Sequence, residues 1–116
     1  MLDCLLQVHI AQEDTKFGLD ESEINEFMDR NRNEPMSNAR IVGLMGMASF
    51  TENMSLVRDE FKKLKEIFDR LTAHDSRLTT LSLGMSSDYK IAIEEGSNMV
   101  RIGSLLFGER VKPDQK

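Results

Sequence analysis

Two short turns near the end of the sequence carry residue types that suit the binding of an anion. Residues 84–88 (GMSSD) follow one apolar run and contain Ser86, and Gly103 and Ser104 follow another. Small and hydroxyl-bearing residues at the change from strand to helix leave backbone N–H groups that can donate to a phosphate. Consecutive parallel strands joined by a helix end side by side, so one phosphate could touch both turns. Considered alone, however, Ser86 is more typical of a helix N-cap.

Arg101 is a charged residue within the second of these apolar runs. Residues 101 and 103 lie on the same face of an extended strand, so both would face the same ligand. An arginine in an apolar strand needs an anionic partner, because an unpaired buried charge is costly. That partner is either a bound ligand or a carboxylate such as Glu94.

The elements that must position these residues alternate between apolar runs and amphipathic stretches. Residues 2–11 and 39–50 each contain an apolar run typical of a strand covered on both faces. Shorter runs at residues 81–83 and 99–102 predict a third and a fourth strand. The order βαβαβαβ predicts an α/β fold with a parallel sheet and functional residues at the carboxyl ends of the strands. Four such strands fit either an open sheet with helices on both faces or half of an eight-stranded barrel with its helices outside.

Three helices are expected between these strands. The first follows Asp20 and the second follows Thr51, each a predicted N-cap, and the short third helix ends at Gly96, a predicted C′ residue. In the second helix apolar residues recur every three or four positions, and charged residues take the other face. The apolar face comprises Val57, Phe61, Leu64, Ile67, Phe68 and Leu71, and the charged face comprises Arg58, Glu60, Lys62, Lys63, Lys65, Glu66 and Asp69.

Composition argues against several classes of protein. The 116 residues suffice for one domain, residues 1–110, followed by a polar tail at residues 111–116 that we expect to fray. A net charge of −5 argues against nucleic acid or an anionic membrane surface as a partner. Cys4 is the single cysteine, so no disulfide can form within the chain, and a cytoplasmic location is expected. His9 and His74 lack metal-ligand spacing, and no metal site is predicted.

The motifs of this sequence resemble those of a known family. MSSD followed by IEEGSNMVRIGSLLFGER resembles the end of the alanine-racemase-like barrel in the pyridoxal-phosphate homeostasis protein family, relatives of the fold-type III enzymes. LQVHIAQEDTKFG and IVGLMGMASF resemble the fifth and sixth strands of that barrel with their loops. The resemblance covers nearly the whole chain and implies the C-terminal half of the family's barrel, a half barrel of strands 5–8 of a TIM (β/α)8 fold. The first four strands, with the Schiff-base lysine of strand 1, have no counterpart here.

The resemblance also implies that the ligand is pyridoxal 5′-phosphate. Ser86 and the backbone of Gly103 and Ser104 would hold its phosphate, and Arg101 would contact its pyridine nitrogen. An arginine keeps its proton, so it would leave the ring nitrogen unprotonated and weaken the cofactor as an electron sink. With the resemblance, ligand binding is preferred over helix capping for Ser86, and the ligand is preferred over Glu94 as the partner of Arg101.

Two further residues are assigned to this site by the same resemblance. Met45, at the end of the second strand, would lie near the cofactor ring, and Lys16 would lie at the rim of the site. A lysine in a polar loop is most often a solvated charge, and this alternative is slightly favoured for Lys16. His9 stands where the family often has asparagine, so the family's hydrogen-bonding role at that position is not carried over to it. A histidine on a strand is more typical of a hydrogen-bonded core residue than of a metal ligand.

The implied function is the binding and homeostasis of pyridoxal phosphate by a cofactor carrier. The alternatives are a fragment of a pyridoxal-phosphate-dependent amino-acid racemase and a fragment that retains only the fold. No lysine is predicted on the inward face of a strand, so the chain alone is not expected to be an enzyme. A half barrel has unpaired edges, so the expected partner, besides the cofactor, is the missing N-terminal half or a second copy in a homodimer.

Overall fold

A computed structural model describes residues 1–12 and 17–103 of the chain. Within these residues the elements are β1 (Leu2–Val8), α1 (Glu21–Asn33), β2 (Ala39–Gly46), α2 (Met54–Thr72), β3 (Thr80–Leu83) and α3 (Tyr89–Glu94). The three strands form one parallel sheet in the order β1-β2-β3. The predicted α/β alternation and the parallel sheet are therefore confirmed.

The predicted fourth strand at residues 99–102 is wrong for the part of the chain that the structure describes. Met99 forms only an isolated parallel bridge with Ser82. Further along, the backbone N–H of Arg101 donates to the carbonyl oxygen of Gly84 at 2.9 Å. This segment thus follows the outer edge of β3 without forming a regular ladder.

Side chains take the place of a strand partner along the edge of β3. The amide group of Asn98 accepts a hydrogen bond from the Leu81 N–H at 2.8 Å and donates to the Thr79 carbonyl at 2.7 Å. The Ser97 hydroxyl lies 3.0 Å from the backbone nitrogen of Leu83, whose N–H donates to it. These bonds occupy the backbone groups that a longer fourth strand would pair with, which explains why the ladder is limited to one bridge.

One face of the sheet is turned toward the helices. A Cβ atom at Gly46 would lie 2.6 Å from Leu64 Cδ2 of α2, so Gly46 faces α2. The register places Val8 and Leu83 beside Gly46, and both are fully buried on this face. The core that they join also contains Ile24 and Met28 of α1, Val57, Phe61, Leu64 and Ile67 of α2, and Ala92 of α3. All three helices therefore pack on the same face.

The opposite face carries a different set of residues. Gln7, Met45 and Ser82 lie side by side in the register, and alternation along each strand turns them away from the helices. Among residues 1–12 and 17–103, no helix contributes to a core on this side of the sheet.

The helix ends agree with the sequence in two of three cases. Asp20 is the N-cap of α1 and forms a capping box with Glu23, and Gly96 adopts a φ of +105° directly after the C-cap of α3, as predicted. The prediction of Thr51 as the N-cap of α2 is wrong, because Asn53 holds that position. The Thr51 hydroxyl instead accepts from the Asn53 N–H at 3.1 Å, in the turn before the helix.

The predicted apolar face of α2 is buried at Val57, Phe61, Leu64 and Ile67. Glu60, which was assigned to the charged face, is buried as well, with an exposed fraction of 4%. No helix within the described residues is long and apolar enough to cross a membrane, and no cluster of potential metal ligands occurs among them. The predicted tail at residues 111–116 lies outside the described part of the chain.

Candidate functional site

The turn after β3 is held closed by its own backbone and one carboxylate. Gly84 has a φ of +97°, a conformation that favours glycine, and turns the chain away from the strand. Asp88 Oδ1 accepts a hydrogen bond from the Met85 N–H at 2.7 Å, and the Asp88 N–H donates to the Met85 carbonyl at 3.2 Å. These bonds fix residues 84–88 as a compact turn at the carboxyl end of the strand.

Ser86 lies within this turn and is half-buried. The N-cap position of α3 belongs to Asp88, whose side chain makes no capping hydrogen bond. Ser86 is therefore not the N-cap of α3. Ser86 lies instead two residues before this N-cap, in the turn where a phosphate was predicted.

The second predicted turn approaches the first through the backbone of β3. The Leu83 N–H donates to the Met99 carbonyl at 3.1 Å, and the Arg101 N–H donates to the Gly84 carbonyl at 2.9 Å. The segment that leads to Gly103 therefore runs beside the start of the Ser86 turn. Gly103 is exposed, and no atom of the described residues lies within 4 Å of the position that a Cβ would take there. Ser104 lies outside the described residues.

The side chain of Arg101 is exposed, so the expectation of a buried arginine is wrong. The carboxylate proposed as its alternative partner is engaged elsewhere. Arg58 of α2 contacts Glu94 Oε2 at 2.7 Å and Glu95 Oε2 at 2.5 Å, and these hydrogen bonds raise the pKa of Arg58 above its ordinary value. Within the part of the chain that the structure describes, Arg101 forms no ion pair.

The two remaining candidates lie on the other strands or beyond the described residues. Met45 is half-buried in β2, beside Ser82 of β3, which in turn forms the bridge with Met99. The register thus places Met45, Ser82 and Met99 in one row on the face away from the helices. Lys16 falls in residues 13–16, which the structure does not describe.

A cleft of about 650 Å³ opens between the loop after β2 and the turn after β3. Its volume is within the range of small-molecule sites. Exposed apolar side chains line part of the cleft, among them Phe50 and Met85. The cleft is lined by Gly46, Met47, Ala48, Ser49, Phe50, Thr51, Glu52, Met54, Val57, Gly84, Met85, Ser87 and Asp88.

A buried carboxylate that sequence reasoning missed stands behind one wall of this cleft. Glu60 Oε1 accepts from the Ser49 N–H at 2.7 Å, and Glu60 Oε2 accepts from the Ser49 hydroxyl at 2.7 Å and from the Gln12 N–H at 3.0 Å. One signal could have revealed it: Glu60 follows Val57 by three residues and precedes Leu64 by four, so it adjoins the apolar stripe.

Residues 2–111 match the family model described as the alanine racemase N-terminal domain. The chain belongs to this family. The expected kinship with alanine-racemase-like proteins is confirmed, but the description of the chain as a C-terminal half is wrong, because the matching domain is the N-terminal one.

Relatives of this family with curated names cover nearly all of the chain. It is 41% identical over 109 residues to the pyridoxal phosphate homeostasis protein of Aquifex aeolicus, covering 93% of this chain and 47% of that protein. It is 35% identical over 111 residues to the protein of the same name from Haemophilus influenzae, covering 94% of this chain and 46% of that one. The chain thus spans about half the length of the curated relatives it matches.

Three solved structures superpose well on this chain. PipY of Synechococcus elongatus without pyridoxal phosphate gives a TM-score of 0.82 at 29% identity, covering 91% of this chain and 49% of that one. The same protein with pyridoxal phosphate bound gives a TM-score of 0.76 at 28% identity, with the same coverage. A protein of unknown function from Bifidobacterium adolescentis gives 0.79 at 28% identity, covering 90% of this chain and 42% of that chain.

Proposed function

We propose that this chain binds pyridoxal 5′-phosphate, as part of a cofactor carrier of the pyridoxal phosphate homeostasis type. The observation that carries the proposal is the contact between the Arg101 N–H and the Gly84 carbonyl at 2.9 Å, which joins the two candidate segments at the end of β3. The similarity to PipY with pyridoxal phosphate bound, at a TM-score of 0.76, supports this ligand.

In this proposal Ser86 and the backbone of Gly103 and Ser104 hold the phosphate. A phosphate suits a compact turn at a strand end, because hydroxyl and backbone N–H donors can converge on it there. The support for the assignment is the hydrogen bond from the Arg101 N–H to the Gly84 carbonyl at 2.9 Å, which brings the segment that leads to Gly103 beside the Ser86 turn.

Arg101 would contact the ring nitrogen of the cofactor. Met99 lies in one row with Ser82 and Met45. Alternation along an extended chain places Arg101, two residues further on, on the same side as Met99. A guanidinium keeps its proton at all physiological pH values, so it donates to the ring nitrogen and leaves that nitrogen unprotonated. Bound pyridoxal phosphate serves enzymes as an electron sink, and this contact weakens that property. The chemistry of the residues therefore favours a carrier.

Met45 and Lys16 complete the proposed site. Met45 would pack against the ring from the neighbouring strand, where its half-buried, polarizable side chain suits an aromatic contact. Lys16 would lie at the rim, beyond the carboxyl end of β1. We also propose a cytoplasmic location, since Cys4 is a free thiol and thiols persist in reducing compartments.

Within the domain to which the chain belongs, the finer architecture that we propose is a half barrel of the TIM type, at the positions of strands 5–8, of which three form a ladder in the described residues. The packing of α1, α2 and α3 on one face of the sheet supports it, because barrel helices all lie outside. The remaining strands would then cover the face with Gln7, Met45 and Ser82 and supply the lysine that holds the cofactor covalently. The family's name favours one alternative function, an amino-acid racemase, which would require an acid–base residue on those strands.

Equilibrium dialysis against pyridoxal 5′-phosphate and against pyridoxal, which lacks the phosphate, tests the phosphate site. We expect the phosphorylated form to bind more tightly. We expect Ser86→Ala to weaken its binding about tenfold, because one hydrogen bond to a charged group is lost, and to leave pyridoxal unaffected. Ser55→Ala, which removes an exposed hydroxyl on α2, is the matched control. Equal affinity of the unmodified protein for both compounds would refute the proposed site.

A further inference from the structure

The carboxylate of Glu60 joins three parts of the fold. It projects from α2, and its two oxygens receive hydrogen bonds from Ser49, after β2, and from Gln12, after β1. Ser49 Oγ also accepts from the Gln12 N–H at 3.1 Å. The Gln12 nitrogen is 48 residues away from Glu60 in sequence and the Ser49 nitrogen is 11 residues away, so the contact is tertiary.

Burial makes this contact strong and costly to disturb. Glu60 and Ser49 have exposed fractions of 4% and 6%. Hydrogen bonds to an ionised group are roughly twice as strong as neutral ones, and a low dielectric strengthens them further. Removing the acceptor would leave the Ser49 N–H buried without its carboxylate partner, which carries the full cost of desolvation.

One of the groups that Glu60 holds lies across a cleft from the turn that contains Ser86. Ser49 lines the cleft of about 650 Å³ whose other wall is formed by the turn at residues 84–88. Gln12, after β1, donates to the same carboxylate. The positions of Ser49 and Gln12 relative to the turn after β3 therefore depend on a residue that does not line the cleft.

We propose that Glu60 is a positioning residue for the ligand site. It does not touch the ligand, and it acts by holding the ends of β1 and β2 in one arrangement on α2. This inference rests on the proposed binding of pyridoxal phosphate. A residue of α2, rather than one of the strands, then determines how the bound ring is oriented.

The substitution Glu60→Gln separates positioning from simple packing, because it keeps the shape of the side chain. The NH₂ group of glutamine replaces one acceptor oxygen. Because it is itself a donor, it cannot accept the hydrogen bonds that Ser49 or Gln12 donate to that oxygen. We expect the backbone amides of Ser49 and Gln12 to lose protection from hydrogen exchange. Glu66→Gln, an exposed glutamate on the same helix, is the matched control and should retain that protection.

The ligand readouts use pyridoxal 5′-phosphate itself. In Glu60→Gln we expect its affinity to fall about tenfold, which corresponds to about 1.4 kcal/mol. We also expect the visible circular dichroism of the bound cofactor to change at saturation, an effect that a loss of stability alone would not produce. Ser49→Ala, which removes only the hydroxyl, should fold readily and shift both readouts in the same direction by a smaller amount.

The outcomes distinguish this inference from the proposed function. If the unmodified protein binds no pyridoxal phosphate, the proposed function fails, and the inference fails with it. If the unmodified protein binds the cofactor and both Glu60→Gln and Ser49→Ala bind it with unchanged affinity and circular dichroism, the function stands and Glu60 has no positioning role. Unchanged hydrogen exchange at Ser49 and Gln12 in folded Glu60→Gln would equally overturn the inference.

Discussion

At the scale of single residues, the connector before β3 depends on a buried carboxylate. Arg77 Nε contacts Asp75 Oδ1 and Arg77 Nη2 contacts Asp75 Oδ2, both at 3.0 Å. The hydrogen bond from the Arg77 side chain lowers the pKa of Asp75 from its ordinary value of 3.8. The carbonyl of Asp75 also accepts from the Leu78 N–H at 3.3 Å. Asp75 therefore helps to fix the backbone of the connector directly before β3.

The lowered pKa of Asp75 gives the stability a defined pH dependence. Because the folded-state pKa lies below the unfolded value, ionised Asp75 stabilises the fold above about pH 3.8, and this contribution is lost as the pH falls through the folded-state pKa. At neutral pH we expect Asp75→Asn to lower the free energy of unfolding by about 1–2 kcal/mol. The difference should shrink in urea titrations below about pH 3.8. Asp59→Asn, on the exposed surface of α2, is the control, and a pH-independent difference would contradict this account.

The site residues differ in how far the sequence could place them. The proximity of the Ser86 turn to the Arg101 segment was predicted from the rule that consecutive parallel strands end side by side, and it is observed although residues 99–102 form only an isolated bridge with β3. The burial of Glu60 does not follow from any local rule. Its donors are backbone and hydroxyl groups 11 and 48 residues away, and only the folded chain brings them to the helix.

At the scale of elements, the edge of β3 is protected by side chains. Asn98 and Ser97 bond to the backbone of Thr79, Leu81 and Leu83, which would otherwise offer an open template for another strand. Hydrophobic periodicity predicts β1, α1, β2, α2, β3 and α3, because burial governs each of them. It cannot predict that a side-chain amide replaces a strand ladder, and for that reason the fourth strand was expected and is absent from the described residues.

The edge of β3 offers a direct test of this replacement. Asn98→Ala leaves the Leu81 N–H and the Thr79 carbonyl without the amide partner, so we expect a loss of about 1–3 kcal/mol in the free energy of unfolding. The Leu81 amide should also exchange faster with solvent. Asn98→Asp keeps the acceptor for Leu81 and loses the donor to Thr79, so its effect on Leu81 should be smaller. Asn25→Ala, an exposed position on α1, is the control. Unchanged exchange at Leu81 in Asn98→Ala would show that the amide does not guard this edge.

At the scale of the whole molecule, the helices within residues 1–12 and 17–103 pack on only one face of the sheet. Gln7, Met45 and Ser82 lie on the face away from α1, α2 and α3. Along its edge away from β2, β1 forms within the described residues only an isolated parallel bridge, between Val8 and Leu19. A parallel sheet is normally covered on both faces, and an unpaired strand edge invites association. The chain also spans about half the length of its curated relatives. Further strands, from the rest of a barrel or from another copy, would complete the fold.

We therefore expect the isolated chain to form a homodimer, and to prefer the remaining strands of the barrel when these are supplied. Leu5 is in register with Gly43 on the face away from the helices, so Leu5→Lys places a charge where the partner would pack and should shift the chain to monomer in sedimentation at micromolar concentration. Ile93→Lys makes the same chemical change at an exposed position on α3 and should leave the dimer intact. A stable monomer of the unmodified chain, with the amides of β1 and of residues 99–102 protected from exchange, would contradict this expectation, because it would require both edges and the second face to be covered by the chain itself.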